Sequence, residues 1–221
     1  MEKRLSRMER ERIRLIQIVT QHAEDLFRQN GYENATIDML AANSEYTKRT
    51  IYRYFVSKED LYFAVMHKGH SYLLEAIKDG IQSGQTGNEK IVMAYRALIE
   101  FFNGNGWLFD LIAQINSIKS RRDPGELPYY EKYVGCLEFI QKEIISLFVM
   151  AHDDKSIRTD VDPQQLGFIS TITLNGFLHM LRVYGDHASP HIYPDKEHFI
   201  DATAKFLFQL FEGGRPGAVM N

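Results

Sequence analysis

The sequence predicts an all-α fold of about nine helices joined by short connections, and three observations carry that expectation. Apolar residues recur at spacings of three and four along almost the whole chain, the period of a helix with one buried face. Proline is scarce, six in 221 residues, and no segment shows the apolar–polar alternation of a strand. Capping and stop residues mark off the helical stretches at regular points.

The elements follow in order. A first helix spans about 10–30, with Ile13, Ile16, Val19, Ala23 and Phe27 on one stripe and Gly31 ending it. Thr36 caps a short helix to about Asn43, and the turn Ser44-Glu45-Tyr46 leads to Thr47, which caps a second short helix to about Phe55. Ser57 caps a long helix whose first turn holds Glu59 and Asp60, where acids favour the positive helix end. A loop over 80–88 precedes helices near 89–103 and 107–119, and Pro124 and Pro128 mark a second loop over 121–128. A long helix covers about 129–151. Asp162-Pro163-Gln164-Gln165 is a strong start signal for a helix to about Tyr184, and Asp195 starts the last one, which ends at Gly213-Gly214.

Composition narrows the class. Hydrophobic residues make up 44% and charged residues 25%, enough for a packed core inside a charged surface. No stretch approaches the roughly 18 uninterrupted apolar residues of a membrane helix, and the charged N-terminus does not read as a secretory signal. A single cysteine, Cys136, excludes an intrachain disulfide and suits a reducing cytoplasm; it reads as an inert buried thiol, with redox sensing the minor alternative. The net charge of −3 does not advertise a nucleic-acid ligand, but its distribution is uneven. Residues 1–60 hold 11 Lys and Arg against 10 Asp and Glu, and residues 46–58 carry Lys48, Arg49, Arg53 and Lys58 with no acid. Taken alone, such a cluster more commonly marks a solvated helix face.

Two short capped helices separated by a three-residue turn have the layout of a helix-turn-helix, and small Ala41 and Ala42 let the second cross the first closely. With Lys48 at zero and steps of about 100°, Tyr52, Arg49 and Arg53 fall near 40°, 100° and 140°. Ile51, Tyr54 and Phe55 lie on the opposite side, roughly 240–340°, and can hold the helix to a core. One face is therefore cationic and phenolic, suited to phosphates and base edges in a major groove.

The run Ala23-Glu24-Asp25-Leu26-Phe27, then Asn30-Gly31-Tyr32 and Ala35-Thr36-Ile37, followed by Thr47-Lys48-Arg49-Thr50-Ile51-Tyr52-Arg53-Tyr54-Phe55-Val56-Ser57-Lys58-Glu59-Asp60-Leu61, resembles the N-terminal domain of TetR-type regulators. The resemblance covers about fifty residues; beyond residue 65 only the number and order of helices agree. It implies a three-helix DNA-binding domain, joined by a fourth helix to a variable helical domain that dimerises and binds a small-molecule effector. It also implies phosphate contacts from Thr36, Thr47, Lys48, Tyr52 and Lys58, and backbone or base contacts from Arg53 and Tyr54. Three positions depart from the pattern: Glu45 replaces the usual turn glycine, Tyr46 a small apolar residue, and Arg49 a small residue after the lysine. Arg49 adds a donor able to read guanine bidentately. The DNA-binding set is thus expected to be Thr36, Tyr46, Thr47, Lys48, Arg49, Thr50, Tyr52, Arg53, Tyr54 and Lys58. The domains expected are 1–58, an N-terminal arm with the helix-turn-helix, and 59–221, for effector binding and dimerisation.

The helix from Pro163 is apolar on two stripes, Leu166, Ile169, Thr173, Phe177, Met180 and Leu181 on one, Gly167, Thr171, Leu174 and Leu178 on the other. The last helix spreads Phe199, Ile200, Phe206, Leu207, Phe208, Leu210 and Phe211 around its circumference. Either these two helices are deeply buried in a monomer, or they form a homodimer bundle. With the resemblance, the interface is expected at Leu166, Ile169, Leu174, Phe177, Leu178, Leu181, Phe199, Phe206 and Leu210. An apolar or aromatic effector is expected near Tyr95, Trp107, Asp110, Gln114, Tyr133 and Asn175, where polar residues interrupt apolar helices, with 121–128 as its entrance.

The rival readings are an enzyme and a helical interaction module without DNA binding. No nucleophile elbow, phosphate-cradling glycine loop or paired-cysteine site is present, and no cofactor is implied. His179, His187, His191 and His198 lie close in sequence, but without HExxH spacing they read as a solvated segment rather than a metal site.

Overall fold

The computed structural model describes residues 6–184 and 196–211. These residues form α1 (Arg7–Asn34), α2 (Ile37–Asn43), α3 (Lys48–Tyr52), α4 (Lys58–Gly80), α5 (Gly87–Gly104), α6 (Gly106–Ile112), α7 (Ile115–Arg121), α8 (Pro128–Asp153), α9 (Pro163–Tyr184) and α10 (Lys196–Phe211). Short 3-10 turns cover 81–83 and 124–126, and there is no strand among the described residues. The stretch 107–119, which reads as one helix in sequence, is divided into α6 and α7. The expected start of the last helix at Asp195 and its end at Gly213-Gly214 lie outside the described residues, as do His187 and His191.

Gly31 acts as the helix stop: it takes φ +72°, the left-handed region where a side chain is strained, so α1 bends there before its last residues. The apolar stripe of α1 is buried at Val19, Ala23 and Phe27, whereas Ile13 is 41% exposed. The helix therefore runs past its own core at the N-terminal end.

Two compact units are distinguished, residues 1–71 with 110–136, and residues 72–109 with 137–221. The divisions fall inside α4, after Ser71, inside α6, after Phe109, and inside α8, after Cys136. The unit holding the N-terminal helices is thus larger than residues 1–58. It includes the first half of α4, all of α7 and the first turns of α8.

In the first unit, aromatic rings form a continuous core. Phe27 meets Tyr32, Tyr32 meets Tyr62, Tyr62 meets Phe63, and Phe63 meets Tyr130, each edge-on at 4.9–5.6 Å between centroids. Edge-on contacts of this kind contribute beyond their buried area, about 0.5–1.5 kcal/mol per pair. The Tyr62 hydroxyl donates to the Leu111 carbonyl at 2.6 Å, so a buried phenol has its partner.

In the second unit, Tyr95 packs between Phe148 and Phe208 and shares a hydrogen bond with the Ser170 hydroxyl. The start of α5 lies so close to the end of α8 that a Cβ on Gly87 would stand 2.3 Å from the Ala151 backbone. The Asp154 carboxylate accepts from the Gly87 amide at 2.6 Å, and the Ser156 hydroxyl from the Asn88 amide at 2.9 Å. These bonds supply partners for the unpaired amides of the first turn of α5.

Candidate nucleic-acid interface

The two short helices are capped by the residues their sequence nominates. The Thr36 hydroxyl accepts from the Met39 amide and the Thr47 hydroxyl from the Thr50 amide, both at 3.2 Å. Thr47 and Thr50 also pair through their hydroxyls at 3.0 Å. Ile51 and Phe55 are fully buried and pin α3 to the core, leaving Lys48, Arg49, Tyr52 and Arg53 on the open side. Tyr52 is half exposed, and the Arg53 guanidinium lies over the Tyr54 ring, 4.9 Å from its centroid. Regular α-helix ends at Tyr52 rather than near Phe55, with Arg53 as its C-cap. The reading element is thus little more than one turn long.

Two features of this face were not visible in sequence. The Lys48 ammonium is paired with the Asp38 carboxylate of α2. Nothing local signals that pair, because the two residues are ten apart and meet only through the crossing of α2 and α3. Lys58, expected to face phosphate, instead donates to the Glu33 carbonyl at 3.3 Å and lies 4.2 Å from the centre of the Tyr32 ring. Burial lowers its pKa below the ordinary lysine value, with Glu33 and Glu59 acting in the opposite direction. Tyr46 is half buried in the turn, and the buried Ser44 hydroxyl beside it has no hydrogen-bond partner among the described residues.

Behind the reading helix, Asp60 serves two helix starts. Its amide donates to the Ser57 hydroxyl at 3.2 Å, and its carboxylate accepts from the Val56 amide at 3.2 Å and the Tyr129 amide at 2.9 Å. A buried carboxyl is thereby held by α4 and by the first turn of α8. Burial raises its pKa, the two amide bonds opposing. Phe55 stacks on Tyr129 with 5.4 Å between centroids. Arg121 bonds the Glu33 carboxylate at 3.1 and 3.3 Å, and the guanidinium of Arg122 stands 3.9 Å from the Glu59 carboxylate. Leu127 is buried. The segment 121–128, expected as an entrance, is tied to α1 and α4 through its two arginines, while five of its eight residues are exposed. Its arginines find carboxylates that are remote in sequence, which local turn chemistry does not reveal.

The six residues expected to line an effector pocket are not gathered in one unit. Asp110, Gln114 and Tyr133 belong to the first, and Tyr95, Trp107 and Asn175 to the second. Tyr95 is core, Tyr133 is buried against Phe63 and His70, and Asn175 is exposed on α9. The interface set divides in a similar way. Leu174, Leu178 and Leu181 are already buried in the single chain, so they offer little surface to a second copy. Leu166, Phe177 and Phe199 are half buried, the last two ring to ring at 5.6 Å, while Ile169 and Phe206 are exposed. The Leu210 side chain lies outside those described. The exposed apolar face of α9 is carried by Phe168, Ile169, Ile172 and Met180. Phe168 and Ile172 belong to neither of the two stripes read from the sequence.

Fold and surface together define an all-helical protein with a helix-turn-helix near its N-terminal end. Residues 19–65 match the model of the bacterial regulatory proteins of the tetR family. A curated relative, the HTH-type transcriptional activator FasR of Mycolicibacterium smegmatis, is 27% identical over 90 residues, a stretch that covers 41% of each chain. Among solved structures, the fatty acid degradation regulator FadR of Bacillus halodurans superposes with TM-score 0.67 at 15% identity, covering 97% of this chain and 99% of that one. FadR of Bacillus subtilis, solved in complex with stearoyl-CoA, gives 0.67 at 16% identity over 89% and 99% of the two chains. At such identities the likeness establishes the fold. No described helix is long and apolar enough to cross a membrane.

Proposed function

We propose that this protein is a repressor that binds an inverted-repeat operator as a homodimer and is released by a small apolar effector. The observation that carries the reading is the exposed face of Lys48, Arg49, Tyr52 and Arg53 on a helix anchored by Ile51 and Phe55. Lys48, Thr47 and the Tyr52 hydroxyl bond phosphates, and Arg49 and Arg53 reach base edges. Thr36 and Lys58 complete the grip at the starts of α2 and α4, Lys58 by releasing the Glu33 carbonyl. Two half-sites must be engaged at once, which requires the dimer.

DNA fragments selected from a random pool should bind at nanomolar concentration, and binding should weaken steeply with salt. Tyr52→Phe should weaken binding to all sequences alike, whereas Arg49→Ala should relax preference at particular base pairs. Equal affinity of the wild type for random and selected DNA overturns the reading. For the effector, the stearoyl-CoA complex of the B. subtilis protein suggests a ligand whose apolar part is a long acyl chain, carried there on an anionic coenzyme A. Stearoyl-CoA should quench the single tryptophan, Trp107, and release the selected DNA. Quenching without release separates binding from regulation. A reporter driven by the selected site then distinguishes repression from the activation that names the mycobacterial relative.

A further inference from the structure

The first helix carries a cationic surface that the helix-turn-helix does not use. It opens on a capping box, the Ser6 hydroxyl accepting from the Glu9 amide at 3.2 Å and Glu9 accepting from the Ser6 amide at 2.7 Å. Residues 6–14 are all exposed, and the first buried residue is Val19. More than two turns of well-capped helix therefore project beyond the core that would account for them. Along these turns Arg7, Arg10 and Arg14 recur at i, i+3 and i+7, within about 60° of one another on the helix wheel.

Charge balance favours an anionic partner. Residues 7–14 hold four arginines against two glutamates. Glu9 is engaged in the capping box and Glu11 pairs with Arg7 at 3.2 Å. Arg10 and Arg14 form no ion pair with any described acid. Location favours DNA among anions. Glu11, Arg14 and Ile18 line one wall of a cleft of about 540 Å³, and Asn43, Glu45 and Tyr46 line the other. Those last three belong to the end of α2 and the turn that launches the recognition helix, so Arg14 stands beside the reading head within one compact unit.

We propose that Arg7, Arg10 and Arg14 form a second, sequence-independent DNA surface that grips phosphates flanking the bases read by α3. The proposal rests on the DNA-binding reading above. Guanidinium groups suit this role because they meet phosphate oxygens bidentately and stay charged at any working pH. A helical stripe tracks a backbone without reading it, so the surface adds affinity and salt dependence but no base preference. Arg7 exchanges Glu11 for phosphate, and the exposed pair it gives up is of the weak kind.

The test uses the full chain, a triple variant Arg7→Gln, Arg10→Gln and Arg14→Gln, and two duplexes. One duplex is trimmed to the base pairs needed for selective binding, and the other extends it by arbitrary flanks. Wild type should bind the extended duplex more tightly than the trimmed one, and the triple variant should bind both alike. On the extended duplex the variant's salt slope should be shallower by about 5, near 0.9 for each of the roughly six contacts a dimer loses. Base preference and thermal midpoint should be unchanged, since all three side chains are exposed. An unchanged slope with wild-type gain from the flanks overturns the proposal. A wild type that does not prefer selected DNA overturns the DNA-binding reading first, and the proposal with it.

Discussion

The Lys48 ammonium lies against the Asp38 carboxylate with both side chains more than half exposed, so the pair is worth little to the fold, about 0–1 kcal/mol. Its weight falls on binding. On the proposed DNA-binding reading, phosphate displaces Asp38 from Lys48, and the displaced carboxylate then stands near a polyanion. Asp38→Asn should therefore strengthen binding to selected and random DNA alike by several-fold at low salt, with the gain fading as salt screens the repulsion. Unfolding midpoints should not move. Tighter binding confined to selected DNA would contradict this account. At His70 the balance concerns the fold. Its Nδ1 lies 2.8 Å from the Met66 carbonyl, which can only accept, so that nitrogen carries the proton. The ring is buried edge-on to Tyr133, and burial lowers its pKa, with His67 acting in the same direction. His67 is itself lowered, by burial and then by Lys132. A histidine lowered in the folded state binds its proton more readily in the unfolded chain. Its contribution is therefore complete above about 6.5 and is lost as pH falls below that value. Thermal midpoints should drop between pH 7 and pH 5, and His70→Leu should flatten the drop; an equally steep profile in the variant would remove His70 from the explanation.

At the scale of elements, Asp60 joins the start of α4 to the start of α8. Asp60→Ala leaves the Val56 and Tyr129 amides without their acceptor, at a cost of about 2–4 kcal/mol. Asp60→Asn keeps one acceptor oxygen and should cost less. Denaturant unfolding checks both, and equal stability of the two variants would argue against a shared carboxylate. Half of this joint was legible. Ser57 followed by Asp60 is a capping pattern, and the structure makes the bond. The half that reaches Tyr129 was not, because the residues are 69 apart and only tertiary packing brings them together. The same division runs through the interface. Thr36, Thr47, Ile51 and Phe55 are local signals, and all four stand where their spacing puts them. Asp38 on Lys48, Glu33 on Arg121 and Glu59 on Arg122 depend on how helices cross, which a period of 3.6 does not encode.

For the whole molecule, the decisive surface is α9. Its two apolar sides differ physically, for Leu174, Leu178 and Leu181 fill the core of their own unit while Phe168, Ile169, Ile172 and Met180 face outward. Phe206 of α10 is 61% exposed as well. Four large apolar side chains along one helix face are more than scattered surface residues need explain, and the surface they offer suits a second copy of the chain. A charge placed on that face tests assembly apart from folding. In the single chain Ile169 and Ile172 contact water, so Ile169→Glu and Ile172→Glu should leave helicity and cooperative unfolding intact. In a dimer the same carboxylates lose water without a partner, at several kcal/mol each, so both variants should sediment as monomers. Operator affinity should fall sharply, because a monomer engages one half-site. Leu178→Glu is the contrast: it puts a charge into the chain's own core and should unfold the protein rather than split it. A wild type that sediments as a folded monomer at micromolar concentration, or an Ile172→Glu variant that remains dimeric, would place the subunit contact elsewhere.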